Sequence, residues 1–210
     1  IPNSTPSGQV SIFTGLSLAL LLSVSGGAPQ AHAGQFVKAN NADTLNLATS
    51  WTNNAVPGAD DIVQWDNTIT DPNNATDILG ANAAWGGIKI LNPAGPVTIS
   101  AGSTLTLGAG GIDLSGATAD LTLASDITLP DYTVQTWNVP AGRTLSLSGA
   151  FTRSGGAALN FNGDGLINIT AGTASSVLGY GLVNGTDVAA LDASLNVSTV
   201  NAVIGYIPNP

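Results

Sequence analysis

The sequence has no cysteine and no glutamate, and only 8% of its 210 residues are charged. Without cysteine the fold cannot depend on disulfides or thiolate metal sites, so burial and backbone hydrogen bonds must supply its stability. Long helices need Glu, Lys and Arg for helix propensity and for ion pairs between successive turns. The composition therefore disfavours a helical bundle or coiled coil. In place of charged residues the sequence has many Gly (26), Thr (22), Asn (19) and Ser (18), which favour strands and turns and predict an all-β chain.

Positive charge is also scarce. Four cationic side chains, Lys38, Lys89, Arg143 and Arg153, stand against 13 aspartates, which gives a net charge of −9. A protein that binds nucleic acid needs a basic stripe to displace counterions, and four scattered cations cannot form one. We therefore expect no nucleic-acid partner.

The segment 1–33 has the pattern of a signal peptide. It contains no Asp, Lys or Arg, and an apolar run over residues 16–24 precedes the small residues Ala31 and Ala33. Small residues at positions −3 and −1 predict cleavage between Ala33 and Gly34, and therefore a secreted or cell-surface protein. A transmembrane anchor is the alternative, but it needs about 20 apolar residues. The basic n-region is missing, so we expect that the sequence begins inside the gene product.

After residue 34, short bursts of alternating apolar and polar residues predict strands. Examples are Ile88-Lys89-Ile90, Leu105-Thr106-Leu107 and Leu145-Ser146-Leu147. Segments rich in Gly, Pro and Asn separate the bursts and predict tight turns. We interpret residues 34–59, which contain Trp51, as an N-terminal cap. We expect residues 60–210 to form the repetitive body, with further coils after Thr170 and beyond the end of the sequence.

The spacing of the bursts predicts the architecture. Leu123, Leu145 and Ile167 follow one another at a constant difference of 22 in sequence number. A fixed interval of about 20 residues is typical of a solenoid coil, so we predict that these residues stack in one column inside a parallel β-helix. An antiparallel β-sandwich is the alternative, because its strands recur at intervals of about 8–12 residues and also place apolar residues evenly along the chain.

Several segments together form a recognisable pattern: Trp51-Thr52-Asn53, Val56 to Asp61, Trp85 to Ile88, Gly111 to Ser115 and Gln135 to Leu145. They resemble the autotransporter-associated β-strand repeat proteins, which are secreted or surface passenger-type proteins of bacteria. The resemblance covers roughly residues 43–207, and Gln-Thr-Trp-Asn-Val at 135–139 is its most specific part. It implies a right-handed parallel β-helix, export, and an adhesive or structural role, and it brings no catalytic residues.

The sequence also departs from that pattern. The Gly-rich second half of such a repeat is reduced to residues 163–166. We expect membrane attachment only through regions outside this sequence.

Few residue types suited to catalysis remain in the predicted mature chain. His32 lies in the predicted signal peptide, so no His, Cys or Glu would be left for Ser-His-Asp catalysis, Cys-His catalysis or a zinc site. Carboxylate chemistry by Asp alone is the alternative, as in polysaccharide lyases and hydrolases built on β-helices. The adjacent Asp60 and Asp61 would point to opposite faces of an extended strand and could not face each other. We predict a non-enzymatic protein without a cofactor.

Two kinds of ligand, calcium and sugars, suit residues of this sequence. Asp66, Asp71 and Asp77 lie in an Asn-rich segment with oxygens that suit calcium, but their spacing does not match an EF-hand, and a solvated loop with Asx turns is favoured. In a chain with 11 aromatic residues, core or cap positions are expected for tryptophans that could otherwise stack on sugars: Trp65, Trp85 and Trp137. The partners we predict are surface glycans or other copies of the chain.

Overall fold

The structure, a computed structural model, describes residues 33–170 and 177–199, which lie within one compact unit, Ala31–Pro210. Short 3-10 helices occur at Ala48–Ser50 and Pro72–Ala75. The strands are β1 (Gln35–Val37), β2 (Ile62–Trp65), β3 (Thr76–Asp77), β4 (Ala83–Ile90), β5 (Val97–Ile99), β6 (Thr104–Asp113), β7 (Leu121–Leu123), β8 (Asp126–Leu129), β9 (Val134–Asn138), β10 (Thr144–Leu147), β11 (Phe151–Arg153), β12 (Ala158–Asn162), β13 (Leu166–Ile169), β14 (Val177–Val183), β15 (Asp187–Leu191) and β16 (Val197–Thr199).

The strands stack to form a β-solenoid of about six turns. The larger sheet has the order β1-β2-β4-β6-β9-β12-β14-β15-β16, with β8 and β11 branching from β6, and the smaller sheet has the order β3-β5-β7-β10-β13. Pairings between successive coils, from β1 to β14, are parallel. The predicted parallel solenoid is confirmed. The antiparallel sandwich is wrong, because a full coil rather than a hairpin separates these paired strands.

Glycines allow the larger sheet to turn a corner within a strand. The first part of β6 pairs with β8 and its last part pairs with β9. A Cβ at Gly86 in β4 would lie 2.5 Å from the backbone oxygen of Asp60. Gly111 in β6 has a φ of +62°, and a Cβ there would overlap the backbone oxygen of Thr136. Any side chain at these positions would push neighbouring coils apart, so the close approach requires glycine.

The inward residues of the smaller sheet form two columns. Leu145 pairs with Leu121 and Ile167, whereas Leu123 pairs with Leu147. The prediction that Leu123, Leu145 and Ile167 share one column is therefore wrong for Leu123, which is equally buried but lies in the neighbouring column.

Unequal coil lengths explain this error. The sequence numbers of the partners Leu145 and Ile167 differ by 22, but those of the partners Leu121 and Leu145 differ by 24. Because both differences are even, the alternation of inward and outward side chains is unchanged. The apolar pattern therefore fits either register, and the pattern alone could not choose between them.

An aromatic cluster fills the first coils. Trp51 makes edge-to-face contacts with Phe36, Trp65 and Trp85, at ring-centroid distances of 6.0–6.3 Å. Trp137 lies in the core of a later coil and is fully buried. Each of the four tryptophans is at most 1% exposed, so none of them can stack on a sugar ring.

Both ends of the body differ from the expected boundaries. β1 lies inside the predicted cap, yet it pairs in parallel with β2, so the first coil begins at Gln35. The sequence predicts further parallel coils after Thr170, and this is wrong for β15 and β16, which pair antiparallel with β14 and with each other. The cause is the three-residue turn over residues 184–186, which joins the paired Val183 and Asp187 and in which Asn184 and Gly185 have positive φ values of 50° and 72°.

Candidate functional site

The smaller sheet presents a column of polar side chains on its outer face. In β5, β7 and β10 the leucine, isoleucine and valine residues are buried, and the polar residue between them is partly exposed. Strand register aligns these residues with their equivalents in β3 and β13 to form what we call the hydroxyl column: Thr76, Thr98, Thr122, Ser146 and Asn168. Neighbouring strands lie about 4.8 Å apart, so the polar groups repeat at that interval over five coils.

A second column on the larger sheet combines charged and amide side chains. Lys89, Asp113, Asn138 and Asn162 are partners on successive coils; we call them the mixed column. Nδ2 of Asn162 donates a hydrogen bond to Oδ1 of Asn138 at 2.8 Å. This bond links two coils at the surface and orients both amides.

A groove of about 350 Å³ lies at the N-terminal end of the mixed column. Gln35, Ile62, Lys89, Asp113 and Gly110 contribute to its lining. A Cβ at Gly110 would lie 2.6 Å from Cδ1 of Ile62, so glycine keeps this side of the groove open. The groove brings a cation and a carboxylate together on adjacent coils, which suits a polar ligand.

Aspartates at the corners of the solenoid bind backbone amides of the next coil. Oδ1 of Asp120 accepts a hydrogen bond from the backbone N of Thr144 at 2.9 Å. Oδ1 of Asp126 accepts one from the backbone N of Ala150, also at 2.9 Å. These carboxylates hold one coil to the next, which is a structural use of the negative charge.

The aspartates considered for carboxylate chemistry or calcium do not converge. Oδ1 of Asp61 accepts from the backbone N of Gly34 at 2.7 Å. Asp66 and Asp71 each accept from the backbone amide two residues later, as in Asx turns. Asp77 is buried in the core. Among residues 33–170 and 177–199, no group of three or more His, Cys, Asp or Glu side chains could hold a metal ion.

A buried charged pair, which was not predicted from the sequence, joins the first two coils. Lys38 is fully buried and Asp77 is 3% exposed, and Nζ of Lys38 lies 3.5 Å from Oδ1 of Asp77. Nζ donates to the backbone oxygens of Ala39 and Asn41, at 2.9 and 2.7 Å, and to Oδ1 of Asn41 at 3.1 Å. Nε1 of Trp65 donates to Oδ2 of Asp77 at 2.9 Å. Oδ1 of Asp77 has no hydrogen-bond partner.

Burial dominates the electrostatics of this pair. Loss of hydration raises the pKa of Asp77 to about 6, although the Lys38 ammonium group and the Trp65 hydrogen bond both act to lower it. Alternation along the two strands could have revealed the pair. Lys38 has the parity of Phe36, which packs on the core, and Asp77 has the parity of the buried Leu79.

The segment Gln-Thr-Trp-Asn-Val at 135–139 contains another buried polar side chain. Gln135 is 1% exposed and accepts a hydrogen bond from Nε1 of Trp137 at 2.9 Å. Its Nε2 donates to the backbone oxygen of Leu107 at 2.5 Å. The glutamine therefore satisfies the indole N–H inside the core and fixes the orientation of Trp137.

The predicted cleavage point lies at the edge of the described residues. The apolar run and Ala31 fall outside them, and Ala33 is exposed. Gly34 is already bound to the first coil, because its N–H donates to Asp61 and its carbonyl accepts from the backbone N of Ile62 at 2.8 Å. No helix in the described part of the chain is long and apolar enough to cross a membrane.

No protein-family model, curated protein or solved structure matches the chain. The resemblance to autotransporter-associated repeat proteins therefore stays a prediction, as do the export and surface role that it implies. The parallel β-solenoid and its outer polar columns are the basis for a functional proposal.

Proposed function

We propose that the chain is an exported, non-enzymatic β-solenoid segment with a structural or adhesive role at a bacterial surface or outside the cell. The hydroxyl column is the observation that carries this proposal. It presents hydroxyl groups at a constant interval across four coils, from Thr76 to Ser146. On the fifth coil, Nδ2 of Asn168 donates to Ser194 and Asn196. A linear glycan also presents hydroxyl groups at regular intervals, so the two can form several hydrogen bonds in register.

The chemistry of the hydroxyl column supports binding rather than catalysis. Hydroxyl and amide side chains both donate and accept hydrogen bonds but carry no charge at neutral pH. They offer no group that titrates near neutrality, which general acid-base catalysis requires. Each contact is weak, but contacts along one rigid face add up because binding at one coil aligns the ligand with the next.

Retention on glycans tests the adhesive role. The variant combines Thr98→Val, Thr122→Val and Ser146→Ala, which remove three hydroxyl groups with little change in volume. At about 1 kcal/mol for each hydrogen bond, we expect affinity for a retained glycan to fall about 100-fold. A glycan array identifies the ligand, and co-sedimentation with the corresponding insoluble glycan measures the loss.

The chain offers a matched control on a different outer face. Thr106, Thr128 and Thr152 are partners in β6, β8 and β11. Replacing all three by valine removes the same number of hydroxyl groups and should leave glycan retention unchanged. Equal loss in both triple variants, or no loss in either, would contradict the role of the hydroxyl column.

The groove supports an alternative function as a polysaccharide-binding or Asp-based lyase or hydrolase site. Lys89 supplies a cation for an acidic polysaccharide and Asp113 supplies a carboxylate. Oδ1 of Asp113, however, accepts a hydrogen bond from the backbone N of Ser115 at 2.9 Å, which favours a turn-forming role. Release of products from pectin or alginate that is abolished by Asp113→Asn would favour the enzyme.

A further inference from the structure

We propose that Lys38 and Asp77 condense to form an intramolecular amide bond that locks the first two coils together covalently. Lys38 follows β1 in the larger sheet, and Asp77 ends β3 in the smaller sheet. The bond would join two sheets through the core and close a loop between residues 38 and 77. The inference concerns the interior of the first two coils and does not depend on the proposed adhesive role.

The positions of the two groups suit the reaction. Nζ of Lys38 lies 3.5 Å from Oδ1 of Asp77, and no other hydrogen-bond partner occupies that oxygen. Both side chains are held in place by hydrogen bonds, Lys38 by Asn41 and Asp77 by Trp65. Holding two reactants in contact removes most of the entropic cost of a bimolecular step.

The surroundings of Asp77 favour the uncharged acid that reacts. Trp65 and Trp51 pack against each other beside the pair, and Lys38 forms an isolated antiparallel β-bridge with Trp51. An apolar environment disfavours separated charges, and burial raises the pKa of Asp77 to about 6. The three N–H groups of Nζ donate to Ala39 and Asn41, so one of them must first turn toward Oδ1. Transfer of that proton to Oδ1 then removes both charges and gives Oδ1 the hydrogen bond that it lacks.

The reaction needs no further reagent. After the proton transfer, the lone pair of Nζ attacks Cγ of the Asp77 carboxylic acid and an N–C bond forms. The C–OH bond breaks, and the hydroxyl group leaves as water with a second proton from Nζ. Nε1 of Trp65, which donates to Oδ2, stabilises the negative charge that develops on that oxygen. The amide retains one N–H, which can donate to the backbone oxygen of Ala39.

Intact mass and tryptic digestion of the unfolded chain test the proposal. After incubation of the folded protein, the mass should be lower than the sequence mass by one water. Trypsin does not cleave after a lysine whose Nζ is acylated, so the peptide bond between Lys38 and Ala39 should survive while cleavage after Lys89 proceeds. Full mass together with cleavage after Lys38 would overturn the proposal.

The digest also excludes another source of water loss. A succinimide at Asp164, which precedes Gly165, would lower the mass by the same amount. Fragment ions must therefore assign the missing water to a link between Lys38 and Asp77. A deficit at Asp164, with normal cleavage after Lys38, counts against the amide.

Two lysine variants complete the experiment. Lys38→Arg keeps a buried cation but cannot form the amide, so it should have its full sequence mass. Lys89→Arg changes an outward lysine in β4 and should retain the deficit of one water. If Lys38→Arg does not fold, the mass and digest of the parent chain still decide the question.

Discussion

Replacing Leu145 by alanine tests the stacked core directly. Leu145 is fully buried in β10, between Leu121 and Ile167 on the adjacent coils. Leu166 in the neighbouring strand β13 is the matched control, because it is also a leucine but is 46% exposed. The same change in two adjacent strands separates the loss of core contacts from the loss of a leucine as such.

We expect Leu145→Ala to lower the free energy of unfolding by about 3–5 kcal/mol, the range seen when a buried leucine leaves a cavity. The cavity cannot collapse easily, because hydrogen-bonded ladders hold the adjacent strands about 4.8 Å away on either side. Leu166→Ala should lose less than about 1 kcal/mol, since much of its side chain already contacts water. For a body of this size, the change at Leu145 should lower Tm by about 6–20 °C.

Urea unfolding measures both variants, followed by far-UV circular dichroism and tryptophan fluorescence. Trp137 lies buried in a nearby coil and reports on the same core. Leu145→Asp should be more destabilising than Leu145→Ala, because it places a carboxylate in an apolar site. Similar midpoint shifts for Leu145→Ala and Leu166→Ala would refute the stacked core.

Two further predictions concern register and processing. The chain has no cysteine, so the double variant Thr122→Cys with Ser146→Cys should oxidise to a disulfide, because these two residues are paired. The double variant Thr122→Cys with Thr144→Cys should stay reduced, and mass spectra distinguish the two states. The opposite result would restore the register predicted from the sequence. Cleavage before Gly34 would place a new ammonium group against Asp61. We therefore expect Asp61→Asn to lower the free energy of unfolding by about 1 kcal/mol more in a chain that begins at Gly34 than in the full sequence, as measured by urea unfolding at neutral pH. Pairing raises the pKa of the amine, so this difference should vanish as pH rises well above about 8, and equal losses at neutral pH would contradict it.

The architecture was predictable because burial imposes the same alternation on every coil. Strands such as Leu121–Leu123 and Thr144–Leu147 show it over a few residues, and their repetition excludes helices. Register was not predictable, because coils that differ in length by an even number of residues place the same parity of side chains inside. The hairpin at Asn184 and Gly185 had a local turn signal, but the repeat pattern outweighed it.

The hydroxyl column and the buried pair differ in how far sequence could have located them. Thr98 and Thr122 lie between apolar residues, so alternation assigns them to the outer face, but their alignment depends on register. Alternation also places Lys38 and Asp77 inside, where an unpaired charge is costly. Only the stacked coils show that these two inward charges, which are far apart in the chain, face each other.

Charge distinguishes the two surface columns as candidate adhesive faces. The hydroxyl column contains no ionisable side chain, whereas the mixed column contains Lys89 and Asp113. Salt screens contacts between exposed charges and has little effect on hydrogen bonds between neutral groups. Glycan retention through the hydroxyl column should therefore persist as salt is raised, while binding of an acidic glycan through Lys89 should weaken. Retention lost in high salt, and abolished by Lys89→Gln, would move the adhesive role to the mixed column and its groove.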